Sequence, residues 1–280
     1  MSEQAIQEAP TLAPADYKSA IKPVWCPGCG DFAVVNALGK ALASMKLRPE
    51  DVAVVSGIGC SSRIPAYPSC YGFHGVPGRS LAIATGLKIA RPDLTVVVTG
   101  GDGDGYSIGG NHFLHACRRN TDMTYIVMDN RVYGMTKGQP SPTTEPDWDS
   151  KLTPQGSGLR EFQPIVIALA SGANFIARAF TGDPNNLADI IVQAVQNPGF
   201  SFVEVLSPCV TYRPEQRNWK KQVGRDAFEP TSDAAEAAMR VLRSDPLSLG
   251  VIYKGDRAPY DPRAAAAAQP VTAIEKRFCV

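Results

Sequence analysis

Leu94-Thr95-Val96-Val97-Val98-Thr99-Gly100-Gly101-Asp102-Gly103-Asp104-Gly105 is the stretch whose reading decides the fold. Its first six residues are a short β-branched run of the kind found in strands buried on both faces. It then empties into a glycine-rich turn bearing carboxylates. Similar runs stand at Val52 to Ser56, Met123 to Met128 and Phe200 to Leu206. Between and around them lie helical stretches at about 31 to 45, 79 to 90, 108 to 119, 164 to 170 and 184 to 196. In the first, Phe32, Val35, Leu38, Leu42 and Met45 recur at helical spacing. The alternation of strand and helix predicts an α/β fold with a doubly wound parallel sheet.

In such sheets ligands sit beyond the carboxyl ends of the strands. Three polar, glycine-rich loops follow successive strand ends here: Gly57 to Gly78, Gly100 to Ser107 and Asn130 to Gly158. The first and third are longer than ordinary connections, which favours function. We divide the chain into an N-terminal arm (1–20), a main domain (21–212) and a C-terminal extension (213–280). That extension reads as a helix from Asp233 to Arg243 and a strand near Leu249 to Tyr253, packing on a partner.

At 280 residues and 44% hydrophobic content the chain can bury a full core. A net charge of +1 without long single-sign runs gives no electrostatic reason to expect nucleic acid or a membrane surface as partner. No apolar run is long enough for a membrane-spanning helix, and residues 1–20 lack a secretory signal. A cytoplasmic location is therefore expected. Seven cysteines in that compartment point to metal ligation or burial rather than disulfides.

Asn130 stands 28 residues after Asp102, at the end of the next strand. Both polar side chains thus emerge at neighbouring strand ends, while the glycines let backbone approach phosphate closely. A magnesium ion holding a diphosphate takes oxygen ligands, one or two of them protein side chains. Asp102 and Asn130 suit that role. The pattern resembles the thiamine-diphosphate motif, and the resemblance implies the Val132 carbonyl as a third protein ligand. Asp104, in the repeated Gly103-Asp104-Gly105, could replace Asp102, which is preferred because it directly follows the strand. A nicotinamide site is not supported, since Gly-x-Gly-x-x-Gly is absent here.

Trp25-Cys26-Pro27-Gly28-Cys29-Gly30 holds two thiols at metal-binding spacing, Cys60 lies in Gly57-Ile58-Gly59-Cys60-Ser61-Ser62-Arg63, and Cys209 follows a strand. Four thiolates can bind zinc or a [4Fe-4S] cluster, and spacing alone does not separate the two. Together these segments resemble the smaller (beta) subunit of 2-oxoacid:ferredoxin oxidoreductases, from about Trp25 to Tyr212. That resemblance implies a thiamine-diphosphate-binding sheet and Cys26, Cys29, Cys60 and Cys209 as ligands of one [4Fe-4S] cluster. Cys70, Cys117 and Cys279 match no motif and read as buried or inert thiols, and His112 and His115 as ordinary helix histidines.

The resemblance also places Gly59, Cys60, Ser61, Ser62, Arg63 and His74 around cofactor and substrate, with Gly101, Asp102, Gly103 and Asp104 at the diphosphate. Gly134, Met135 and Thr136 continue the Asn130 loop over the same pocket, and Lys137 is a candidate for a distal substrate carboxylate. A cation at Lys137 paired with that carboxylate would favour 2-oxoglutarate over pyruvate, and Ser62 and Arg63 are the other catalytic candidates. The implied activity is coenzyme-A-dependent oxidative decarboxylation, reversible as reductive carboxylation, with electrons passing to an external ferredoxin. The glutamate that activates thiamine diphosphate is expected on an alpha subunit, in a dimer of heterodimers. Two rival readings remain: a non-redox thiamine-diphosphate decarboxylase or ligase, and a non-catalytic electron-transfer or zinc-stabilised module.

Overall fold

The computed structural model describes residues 12–224 and 228–261. Seven strands, β1 (Val52–Ser56), β2 (Tyr71–His74), β3 (Thr95–Gly101), β4 (Met123–Asp129), β5 (Phe175–Phe180), β6 (Phe200–Leu206) and β7 (Gly250–Lys254), form one sheet in the order β2-β1-β3-β4-β6-β5-β7. All neighbours run parallel except β7, which joins β5 antiparallel at the edge. The helices are α1 (Asp31–Ser44), α2 (Ser80–Ala90), α3 (Gly110–Arg119), α4 (Pro164–Ser171), α5 (Pro184–Gln196), α6 (Trp219–Gln222) and α7 (Ala234–Arg243).

Strand side chains alternate between two cores, which is why the central runs are apolar at every position. Val52 and Val54 of β1 pack with Val34, Leu38 and Leu42 of α1 and Leu187 and Ile191 of α5. Ala53 and Val55 face the other way, toward Leu81 of α2, Phe113 of α3 and Ile165 of α4. Leu38 is fully buried, so Leu38→Ala would cost about 2–5 kcal/mol. The doubly wound sheet expected from the alternation is present.

Two strands escape a pattern reading. All four residues of β2 are exposed, and a glycine interrupts it, so only its parallel pairing with β1 makes it a strand. In β5 a charge breaks the apolar run: Arg178 is buried because its register partner on β6 is Glu204, with Nε to Oε2 at 2.6 Å. The Gly100 to Ser107 stretch, expected as a loop, is instead a wide helical turn from Gly103 to Ile108 that runs into α3. Such wide turns cluster at functional sites.

Residues after 212 contribute to the same sheet and core. Ala237 and Val241 of α7 are buried in the cluster that holds Ile165 and Ala168 of α4, and β7 extends the sheet. Residues 1–11 of the N-terminal arm, the Ala264 to Ala268 tail and Cys279 lie outside the described residues. No helix among the described residues is long and apolar enough to cross a membrane.

Candidate active site

The carboxyl ends of β1, β3 and β4 open on a cavity of about 240 Å³. Ile58, Gly59, Cys60 and Ser61 line it after β1, and Gly101 to Asp104 after β3. Asn130 and Val132 to Thr136 line it after β4. Of the sequence-chosen cofactor residues, only Ser62 and His74 lie outside this wall.

Asp102 is 2% exposed and sits where β3 meets the helical turn. Thr143 Oγ1 stands 2.9 Å from Asp102 Oδ2 and 2.8 Å from Asp129 Oδ1. A hydroxyl has one proton, so both contacts hold only when one carboxyl is itself protonated. Burial raises the pKa of Asp102, and burial with the Asp102 and Glu204 charges pushes Asp129 well above the carboxylate range. A cation beside Asp102 would relieve this crowding. Asn130 Oδ1 accepts from Val132 N at 3.1 Å, which turns the chain sharply after β4 and keeps the side chain at the cavity.

Across Gly101-Asp102-Gly103-Asp104-Gly105 the two carboxylates have different partners. Asp104 Oδ1 accepts from Ile58 N at 3.0 Å and Gly78 N at 2.7 Å, so this carboxylate ties the post-β1 loop to the start of α2. Asp104 also lines the cavity, and its Oδ2 is buried without a hydrogen-bond partner among the described residues. Gly103 is required by a close approach: a Cβ there would meet the Tyr133 ring at 2.2 Å.

The cysteines stand on and beside the same loops, with Cys60 lining the cavity. A Cβ on Gly134 would lie 3.7 Å from Cys209 Sγ and 3.8 Å from Cys60 Sγ, so both sulfurs border the space that this glycine leaves open. The thiols feel one another electrically: Cys29 senses Cys60 and Cys209, and Cys60 senses Cys209 and Cys26. Burial first, then the charges of Asp31, Cys209 and Cys26, push the Cys60 thiol up to about 11. Among the described residues no three His, Cys, Asp or Glu side chains are drawn together as tightly as one metal ion requires. Trp25 Nε1 donates to the Cys60 carbonyl at 2.7 Å, and Ser207 Oγ to Asp31 beside Cys29 at 3.1 Å, so each thiol segment is pinned by a neighbour.

Other candidates are placed differently. Ser62 is fully buried with no hydrogen-bond partner for its hydroxyl among the described residues. Its carbonyl lies 2.7 Å from His74 Nδ1, and because a carbonyl only accepts, Nδ1 carries the proton. His74 and Arg63 line a second cavity of about 430 Å³ that shares Ile58, Gly59 and Met135 with the first. Lys137 lies on an exposed turn at φ 81° and lines neither cavity. Cys117 is buried in the core and Cys70 packs against the other one, as expected of structural thiols.

Sequence reasoning missed the residues that hold the Asn130 loop. Arg213 Nη2 reaches Glu145 Oε2 at 2.8 Å and Arg213 Nη1 donates to the Arg131 carbonyl at 3.1 Å. Arg131 Nη1 meets the other Glu145 oxygen at 2.6 Å. Buried Gln216 touches both Asn130 and Cys209. No local motif marks these residues, since their partners are distant in sequence.

Residues 57–205 match the family described as thiamine pyrophosphate enzyme, C-terminal TPP binding domain. The 2-oxoglutarate synthase subunit KorB of Methanocaldococcus jannaschii is 48% identical over 189 residues, covering 68% of this chain and 70% of that protein. The chain belongs to the beta subunits of 2-oxoacid:ferredoxin oxidoreductases. A second member, 2-oxoacid:ferredoxin oxidoreductase 2 subunit beta of Aeropyrum pernix, is 43% identical over 85% of this chain and 82% of its own. The 2-oxoglutarate oxidoreductase subunit KorB of Mycobacterium tuberculosis is 42% identical over 84% of this chain, which spans 61% of that relative's length. Among solved structures, the 2-oxoglutarate:ferredoxin oxidoreductase from Magnetococcus marinus, with 2-oxoglutarate, coenzyme A and succinyl-CoA bound, superposes with a TM-score of 0.85 and 38% identity. It covers 98% of this chain and 94% of that one. The family thus agrees with the cavity on a thiamine-diphosphate site.

Proposed function

We propose that this beta subunit, joined to an alpha subunit, converts 2-oxoglutarate and coenzyme A to succinyl-CoA and carbon dioxide and passes two electrons singly to a ferredoxin. The reverse direction is reductive carboxylation. The observation that carries this reading is that Cys60 lines the cavity of Asp102 and Asn130, so one loop serves both the thiamine-diphosphate site and the thiol set. A non-redox thiamine enzyme has no use for that juxtaposition. A bare electron-transfer module has none for the buried Asp102.

Asp102, Asn130 and the Val132 carbonyl would hold magnesium, and Ser61, Gly101 and Gly103 would face the diphosphate. Cys26, Cys29, Cys60 and Cys209 would hold one [4Fe-4S] cluster. The open space at Gly134, bordered by Cys209 Sγ and Cys60 Sγ, supports placing the group there. When bound, thiamine diphosphate supplies an electron sink for loss of carbon dioxide, and the cluster a one-electron exit. The chain's own contribution is to orient both, to exclude water, and to hold the substrate carboxylate at Arg63, with His74 Nε2 free to accept a proton or hydrogen bond. Because Lys137 reaches neither cavity, the substrate carboxylate is assigned to Arg63.

Ile58 and Met135 at the cavities, with Tyr71 and Phe73 on edge strand β2, are exposed apolar side chains suited to burial under the alpha subunit. We place the complex in the cytoplasm, where its thiols stay reduced, as a dimer of heterodimers. The test is anaerobic co-expression with the alpha subunit, followed by coenzyme-A-dependent viologen reduction. Reduction with 2-oxoglutarate supports the reading, and reduction with pyruvate alone moves the substrate assignment to the shorter acid. No reduction by a complex carrying iron and cofactor would restore the non-redox alternative.

A further inference from the structure

Gln216 lies on a short helical turn, Pro214–Asn218, seven residues after Cys209 and far in sequence from Asn130, and it is 1% exposed. Its Nε2 donates to the Asn130 carbonyl at 2.7 Å, and its Oε1 accepts from Cys209 N at 2.9 Å. A backbone carbonyl only accepts and a backbone N–H only donates, so the orientation of this amide is fixed by its partners. The remaining half of the Cys209 peptide environment is also held, because the Cys209 carbonyl accepts from Arg213 N at 2.9 Å. Trp219, which closes the turn, lies under the Arg131 guanidinium at 5.3 Å, so the turn is clamped to the Asn130 loop from both ends.

The geometry points to Gln216 as a positioning residue that couples the two cofactor sites of this subunit. Through one planar group it holds the magnesium-binding loop at Asn130 and the cluster ligand Cys209 at a set separation. It also occupies the Cys209 N–H. Hydrogen bonds to cluster sulfurs tune reduction potential, and an N–H committed to Gln216 is withheld from them. The inference rests on the cofactor reading given above. Few neutral side chains could serve, since the role needs a donor and an acceptor on one group of this length.

The test compares the anaerobic alpha–beta complex with Gln216→Met and Gln216→Asn. Methionine keeps the volume without either hydrogen bond, and asparagine keeps the amide but is too short to span both partners. Iron and acid-labile sulfide are measured first in the parent; a parent complex with no cluster sinks the cofactor reading itself, whatever Gln216 does. With a loaded parent, both variants should retain iron, weaken thiamine diphosphate with magnesium by about five- to a hundredfold, as expected for an unpaired buried carbonyl, and shift the cluster potential upward with an altered electron paramagnetic resonance spectrum. If Gln216→Met does not accumulate as a complex, Gln216→Asn carries the same readouts. Parental affinity and parental spectrum would overturn the proposal. So would a change at one cofactor alone, because the residue would then serve a single site.

Discussion

The carboxylate side of the site and its thiol side are held in different ways. Asp102 and Asp129 sit at or beside the ends of central strands, fully buried, and share Thr143 between them. Cys26, Cys29, Cys60 and Cys209 sit on connections, half-buried or exposed, and single contacts from Trp25, Ser207 and Gln216 pin the segments that carry them. The difference teaches that the sheet itself presets the diphosphate end, whereas the thiol end relies on side chains brought from elsewhere. Ligand loss on the first side should therefore cost cofactor without loosening the fold. Weakening a pin on the second should loosen a segment first.

The largest expected effect is at Asp102. Asp102→Ala removes the buried carboxylate proposed to hold magnesium and should weaken thiamine diphosphate with magnesium by about 3 kcal/mol or more, at least about a hundredfold. Iron content should stay parental, as checked by cofactor titration and iron analysis. Loss of iron as well would mean that the thiol side depends on the Asp102 carboxylate itself and not only on the bridge through Gln216. Next comes Arg213→Leu, which strips Glu145 of one partner and leaves the Arg131 carbonyl with Thr144 Oγ1 as its remaining donor. A cost of about 3 kcal/mol is expected, localised in faster hydrogen exchange over residues 130–160.

Arg63→Met should raise the KM for 2-oxoglutarate by about ten- to a hundredfold, the scale of a charged hydrogen bond. Lys137→Met should leave it near the parent value, and the opposite ranking would return the substrate carboxylate to Lys137. The smallest effect belongs to Trp25→Phe. It keeps the ring packed against Phe32 and Tyr67 but loses the bond to the Cys60 carbonyl. About 1 kcal/mol should disappear in thermal unfolding with iron unchanged.

Legibility in the sequence followed the same division. The central strands were readable because a strand buried on both faces is apolar throughout, and Gly101-Asp102-Gly103 with Asn130 stood out because it follows two of them. β5 was hidden by Arg178, whose charge is acceptable only opposite Glu204, a pairing visible once register is known. β2 was hidden because an exposed edge strand buries no side-chain stripe. Asp104 repeats the Gly-Asp-Gly pattern of Asp102, and its bonds to Ile58 and Gly78 through Oδ1 are contacts that the sequence does not reveal. Gln216 and Arg213 carry no local signal, since their roles arise from contacts across the fold. Lys137 follows Thr136, which lines the first cavity, and itself stands on an exposed turn at φ 81° outside both linings.

In the proposed reading one subunit sets a thiamine-diphosphate site beside a four-thiolate cluster, so that electrons released at the first reach the second. The most direct measurement is electron paramagnetic resonance of the anaerobic alpha–beta complex, loaded with iron and cofactor, frozen after mixing with 2-oxoglutarate, with Asp102→Ala as the comparison. The account predicts the signal of a reduced [4Fe-4S] cluster in the parent and its absence in Asp102→Ala at equal iron content. A fully loaded parent that shows no reduced cluster with 2-oxoglutarate or pyruvate, or an Asp102→Ala complex that shows the parental signal, would contradict it.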